Sequence, residues 1–227
     1  MNRNLSDDVT QSIAPEIRES DATTDAALGM LNLRSAKLGA PDGHSERVAS
    51  YAVAMGKQLD LNDKMLRSLQ RAAVLHDIGK VGISSSIVDK LGRLTDREFE
   101  IMRLHSTIAI RMLEQVNGLE DALPMIKHHH ERFDGKGYPD GLAGHEIPLG
   151  ARIIAVAETF DILVSDVPWR EALPLNSAVQ EVRDNSGTQF DPIIVDAFLT
   201  ALNANAIPIS GQAAGNRDEP LEHGRPN

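Results

Sequence analysis

The segment "LGARIIAVAETFDILVS", Leu149 to Ser165, limits the fold more than any other part of the chain. It is apolar on nearly every side of a helix, and such a helix is stable only when other elements cover it all round. The neighbouring segments have the periodicity to supply that cover. "SERVASYAVAMGKQL" repeats its apolar residues at intervals of three and four and ends before the polar turn "DLND". "KMLRSLQRAAVLHDIGK" follows as a second helix, expected to run until Gly79 and Gly82 stop it. Thr95 and Glu98 form a capping box that opens a third, "REFEIMRLHSTIAIRMLEQV". "LEDALPMIKHHHER" reads as a fourth, with Pro124 tolerated in its first turn. "NSAVQEVRD" and "DPIIVDAFLTAL" complete the set. No stretch alternates with period two for long enough to make a strand. The pattern predicts an all-α chain, a single compact helical domain of about seven helices.

With aromatic residues at only 4 % of the 227, the core must be aliphatic. Residues 1–30 are polar, with scattered apolar positions, and are expected to be disordered or loosely packed. Residues 31–204 form the expected domain. Residues 205–227, mostly "SGQAAGNRDEPLEHGRPN", are expected to be a disordered tail.

Composition excludes several functions. There is no cysteine, so disulfides, thiolate catalysis and cysteine-ligated metals are ruled out. A net charge of −10 argues against nucleic acid or an anionic membrane as the main partner. No apolar run reaches the roughly 18 residues of a membrane span, and the first residues lack a basic and apolar leader pattern. A soluble, cytoplasmic protein is expected. A small phosphorylated ligand is compatible with this charge where local cations offset the field.

The second helix carries the first chemical signal. Stepping 100° per residue from Leu66 puts Leu69 and Ala73 on one stripe, with His76, Asp77 and Lys80 within or beside it. A face that should bury leucine thus turns three ionisable groups inward. Unpartnered, they would cost several kcal/mol, so they need each other or a metal. His44 opens the first helix, His105 lies in the capped helix, and His129 and His130 lie near the end of the fourth. Imidazole with carboxylate is then the available donor set, and it suits Fe, Mn, Zn, Co or Ni. An aspartate can bridge two such ions, and two ions roughly 3.5–4 Å apart can clamp the attacking and leaving oxygens of a phosphoryl displacement.

The order and spacing of "GHSERVA", "LHDIGKVGI", the single "LH", "HHERFDGKGYPDGL" and "IPLGARIIAVAETFDIL" resemble the HD-GYP family. This is the branch of HD phosphohydrolases whose characterised members cleave cyclic di-GMP, and the resemblance runs from about Leu31 to Leu202. It implies two transition-metal ions, Fe or Mn foremost, with Zn, Co or Ni also compatible. His44 and His76 would serve one ion, and His105, His129 and His130 the other, with Asp77 as the bridge. Lys80 would lie beside the scissile phosphate, making Asp77 and Lys80 the catalytic pair. Asp134, Gly137 and Tyr138 would line the substrate from the GYP loop. Glu131 would orient a ligand imidazole, and His128 and His145 would stay outside the ligand set. The implied reaction is hydrolysis of cyclic di-GMP to pGpG, with GMP as a further product.

Two stretches depart from the family pattern, at Glu158 and at Val167–Trp169. Glu158 stands where the last ligand is usually aspartate; it brings the same oxygens on one more methylene, and Asp161 follows one turn later. Val167 and Trp169 replace an arginine and a tyrosine, leaving Arg170 to contact the phosphate. Ala40 stands where members with a third ion carry glutamate, so two ions are expected. Glu158 and Val167 motivate the alternative of a weakly active or inactive HD-GYP module, a scaffold that binds a cyclic dinucleotide or a GGDEF-type signalling protein. Sequence leaves an oligomer open.

Overall fold

The structure is a computed structural model, and it describes residues 43–167 and 170–207. The expected loose segment 1–30, Ala40, Trp169 and the tail from residue 208 lie outside the described residues. Helix α1 spans His44–Gln58 and α2 Asp63–Leu75, followed by a 3-10 turn over Ile78–Gly82. Next come α3 (Ser85–Val88), α4 (Asp96–Arg103), α5 (His105–Leu113) and α6 (Leu123–Lys127). A short 3-10 turn, Gly144–Glu146, precedes α7 (Leu149–Val164), α8 (Leu175–Asp184) and α9 (Pro192–Asn203). Among the described residues there is no strand, only the isolated bridges Val167–Arg170 and Ser186–Phe190.

Helix α7 is the central element. It buries Ile153, Ile154, Val156, Ala157 and Phe160, and α1, α2, α6, α8 and α9 all pack against it. Phe160 meets Tyr51 of α1 and Phe198 of α9 edge-on, at centroid distances of 5.6 and 4.8 Å. Side-chain caps fix the starts of the covering helices. Asn62 accepts from the Met65 amide, Thr95 and Glu98 close the expected capping box, and Asp191 accepts from the Ile193 amide ahead of α9. Asp191 also receives Arg152 from α7, so one buried carboxylate both caps α9 and ties it to the centre.

Three expected helices are shorter than their periodicity suggests, and each change falls at a histidine. Helix α2 stops at Leu75, so His76 and Asp77 lie in a turn and Lys80 on the 3-10 segment. The expected third helix breaks at Leu104 into α4 and α5, which puts His105 at the start of α5. The expected fourth contracts to α6, leaving His128, His129 and His130 just beyond its end. At all three places an imidazole Nδ1 reaches back to the carbonyl three residues earlier. His76 bonds Ala73, His105 bonds Met102 and His129 bonds Ile126, each at 2.7 Å. Those are the carbonyls that a continuing helix would give to its own amides, and local side chains that take them favour a helix end. The tail boundary also moves: Ile207 is buried against the core, past the expected end at residue 204.

The turn after α2 is wedged against α5. A Cβ on Gly79 would overlap the His105 carbonyl oxygen and lie 2.7 Å from the Ala109 amide nitrogen, both backbone atoms that cannot swing aside. Gly79→Ala should therefore destabilise the protein by about 2 kcal/mol or more, read by urea unfolding. Unchanged stability would mean that the turn and α5 are not in this close contact.

Candidate metal centre

Breaking helices at histidines has a chemical consequence. An imidazole whose Nδ1–H donates to a carbonyl presents its Nε2 lone pair on the opposite edge of the ring. His76, His105 and His129 are all set this way. His44 reaches the same result differently: its Nδ1 lies 2.7 Å from Oδ2 of Asp161 on α7. Arg47, one turn after His44, forks onto both oxygens of that carboxylate at 2.6 and 2.9 Å. With Arg47 and His44 as partners, Asp161 stays ionised; burial opposes its charge, but these two groups hold its pKa below the ordinary value.

The lone pairs converge. Donor atoms of Asp77, His105, His129 and His130 lie within 4.8 Å of one another, as do those of His44, His76, Asp77 and Glu158. Asp77 belongs to both groups. Its Oδ2 is 3.5 Å from His76 Nε2, and its Oδ1 is 3.6 Å from His105 Nε2. Glu158, on the buried face of α7, completes the second group, so its extra methylene does not carry it away. The two groups therefore meet at one carboxylate.

The residues present fit metal ions. His76 Nε2 and Asp77 Oδ1 are buried and have no hydrogen-bond partner, which is costly unless something else satisfies them. Nε2 of His105 and Nε2 of His129 face each other at 3.4 Å. With both Nδ1 protons given to carbonyls, two lone pairs point at one another there. A shared cation relieves that conflict. Four imidazole or carboxylate donors per group, with no thiolate, suit Fe, Mn, Zn, Co or Ni.

Electrostatics keep these donors in ligating form. Burial pushes the pKa of His105 down to about 3 and that of His129 to about 4. Burial, with His129 and His105 alongside, takes His130 well below its usual value. Asp77 is opposed by burial, but Lys80 and the surrounding histidines hold its pKa far below the ordinary carboxylate range. Lys80 donates to Asp77 Oδ2 at 2.5 Å. Burial works against its charge, yet Asp77 and Glu158 raise its pKa. It is thus a persistent ammonium at the edge of the cluster.

The loop after the histidines closes one side. Tyr138 stacks on His130, with centroids 4.8 Å apart and planes at 30°. Gly137 has no room for a side chain, because a Cβ would overlap the Arg132 amide nitrogen and the Glu131 Cα. Glu131 does not orient an imidazole as expected. Its Oε1 accepts from the amides of Asp140 and Gly141 at 2.7 and 3.0 Å and so pins the loop's far end. Asp134 is drawn to Arg132, which contacts both of its oxygens, and to the Lys136 amide. Arg170 is drawn off as well: it caps the end of α7, donating to the carbonyls of Ile162, Leu163 and Glu171. His128 bonds Pro124 and Asp140, and His145 is exposed; neither joins a donor group.

Arrangement and ancestry agree. A family model described as HD domain matches residues 29–194. The chain belongs to the HD domain family. Its HD pair is His76-Asp77. Sequence relatives include a cyclic di-GMP phosphodiesterase of Thermotoga maritima, 42 % identical over 69 % of this chain and 43 % of that protein. A 3'3'-cGAMP-specific phosphodiesterase of Vibrio cholerae is 40 % identical over 71 % of this chain and 35 % of its own length. The response regulator RpfG of Xanthomonas campestris, also named a cyclic di-GMP phosphodiesterase, is 40 % identical over 71 % and 43 %. This HD domain chain thus spans under half the length of these relatives. Among solved structures, a V. cholerae cyclic GMP-AMP phosphodiesterase shares the fold at TM-score 0.61 and 23 % identity, over 78 % of this chain and 48 % of that one. The HD domain of the L. monocytogenes phosphodiesterase PgpH, solved with cyclic-di-AMP, does so at TM-score 0.58 and 17 % identity, over 84 % and 100 %.

The neutral histidines give the metal-free protein a definite pH dependence. In the unfolded chain imidazole binds a proton near pH 6.5, whereas folded His105 and His129 resist until about 3 and 4. Below about pH 6.5 the unfolded state therefore holds more protons, and stability must fall as pH falls. Metal-stripped protein is expected to lose about 2 kcal/mol or more between pH 7.5 and 5.0, measured by chemical unfolding. A flat profile would mean that these rings are not buried neutral.

Proposed function

We propose that the chain is a metal-dependent phosphodiesterase that hydrolyses cyclic di-GMP to pGpG, with GMP as a further product. The observation that carries this reading is the carboxylate of Asp77, shared by two groups of imidazole and carboxylate donors. Relatives named as phosphodiesterases of cyclic di-GMP and of 3'3'-cGAMP support the cyclic dinucleotide class of substrate.

Two divalent ions held by His44, His76, Asp77 and Glu158 on one side and by Asp77, His105, His129 and His130 on the other would supply Lewis-acid activation of water and of the phosphoryl oxygens. The protein does the rest. The carbonyls of Ala73, Met102 and Ile126, with Asp161, fix the tautomer and aim of His76, His105, His129 and His44, so these donors need little reorganisation. Lys80, anchored on Asp77, offsets the negative charge that grows on the reacting phosphate. Tyr138, whose pKa is raised by burial and then by Glu158 and Asp77, keeps its hydroxyl proton at neutral pH as a donor to a substrate oxygen. The loop glycine Gly137 lets the backbone pass close enough to hold that ring on His130.

Scaffold behaviour without turnover is the second reading. Val167 offers no cation where the family has arginine, and Arg170 is committed to the end of α7. A site so depleted would bind the dinucleotide, or a GGDEF-type signalling protein, and cleave slowly.

The test is direct. Protein loaded anaerobically with Fe(II) or Mn(II) should convert cyclic di-GMP to pGpG, followed chromatographically, and Asp77→Ala should lower the rate by at least about 10³-fold. Metal-replete protein that binds the dinucleotide and leaves it intact would favour the scaffold.

A further inference from the structure

A cyclic dinucleotide has two phosphodiesters, and only one is cut at a time. Accepting that substrate, the second anion needs its own cation in a chain whose net charge is −10. The cations the sequence offers for it are absent or engaged, Val167 by its identity and Arg170 by the carbonyls it caps. Another guanidinium stands beside the site. Arg103, the last residue of α4, carries its Cζ 4.8 Å from the centroid of Tyr138, the ring that stacks on His130. It lies next to the break at Leu104, two residues before His105.

Several features suit Arg103 to a ligand rather than to the core. Helix α4 buries none of its residues, so this arginine is not a packing element. Its side chain is 33 % exposed. Its recorded ion pair is with Glu100 one turn back, at 2.9 Å on an exposed carboxylate, a contact of the weak surface kind that a phosphate can displace. The guanidinium carbon sits over the Tyr138 ring, and Phe99 flanks it at 5.9 Å, so less side-chain freedom is lost when it closes on an oxyanion. Lys80, bonded to Asp77, and Arg103, over the Tyr138 ring, would then serve one phosphate each.

We propose that Arg103 binds the phosphodiester that is not being cleaved, supplying the cation that Val167 and Arg170 leave missing. The inference rests on the cyclic dinucleotide reading above. It is tested by steady-state kinetics and metal analysis of wild type, Arg103→Ala and Arg103→Lys. Loss of a charge-assisted phosphate contact should raise KM for cyclic di-GMP about tenfold or more in Arg103→Ala, while kcat falls less than about threefold and metal content holds. Arg103→Lys should recover a large part of that loss, since it restores the charge without the planar fork. A KM within about twofold of wild type would overturn the proposal and leave the hydrolase reading standing. So would a collapse of kcat and metal content with KM unchanged, which would make Arg103 a prop for Tyr138 and His105. Where wild type binds without cleaving, the dissociation constant is read in place of KM with the same thresholds. Wild type that neither binds nor cleaves cyclic di-GMP defeats both readings.

Discussion

A bond from an imidazole Nδ1 to the carbonyl three residues earlier recurs at three of the turns that build the donor cluster. Made by His76, His105 and His129, it does two things at once. It takes the carbonyl that would extend a helix, so the chain turns where the chemistry is needed. It also settles the tautomer, so an unprotonated Nε2 faces the centre. A longer helix at any of these points would carry its histidine on a helical face, with the carbonyl given to an amide and the tautomer unfixed. Fold termination and donor alignment are one event here.

Around that motif the packing is arranged to keep the donors dry and still. Helix α7 is buried almost throughout, and it carries both Glu158 and Asp161 among its apolar residues. Glu158 joins the donor group directly, while Asp161 acts through His44, with Arg47 keeping the carboxylate charged. Gly79 and Gly137 permit contacts that any side chain would forbid. The result is a cluster with unpaired buried atoms, His76 Nε2 and Asp77 Oδ1, each of which a cation would satisfy. Lys80 then provides a fixed positive charge at the edge, where a phosphate would approach an otherwise acidic protein.

Much of this was legible in the sequence. The three- and four-residue spacing gave the helices, the capping box at Thr95 and Glu98 was correctly placed, and the near-continuous apolar run marked α7 as the centre. His44, His76, Asp77, His105, His129, His130 and Glu158 were singled out, and they fall in the two donor groups. Periodicity could not show where helices stop, because the stops are made by imidazoles reaching back, and a histidine on a helical face looks the same either way. Glu131 was misread for a similar reason: a carboxylate beside two histidines suggests a partner for them, whereas the loop's free amides had the stronger claim. Arg47 and Asp161 sit one turn beyond His44 and Glu158, and that spacing was the available signal for their pairing. Arg103 gave none, since its role depends on a loop more than thirty residues later in the chain folding back over α4.

The proposed hydrolysis requires that these side chains hold two ions that share Asp77. Titration of metal-free protein with Co(II), followed by visible absorption under anaerobic conditions, tests it most directly. The ligand-field bands are expected to saturate at two equivalents per chain in wild type and to be sharply reduced in Asp77→Asn. Saturation at one equivalent, or uptake that Asp77→Asn leaves untouched, would contradict it.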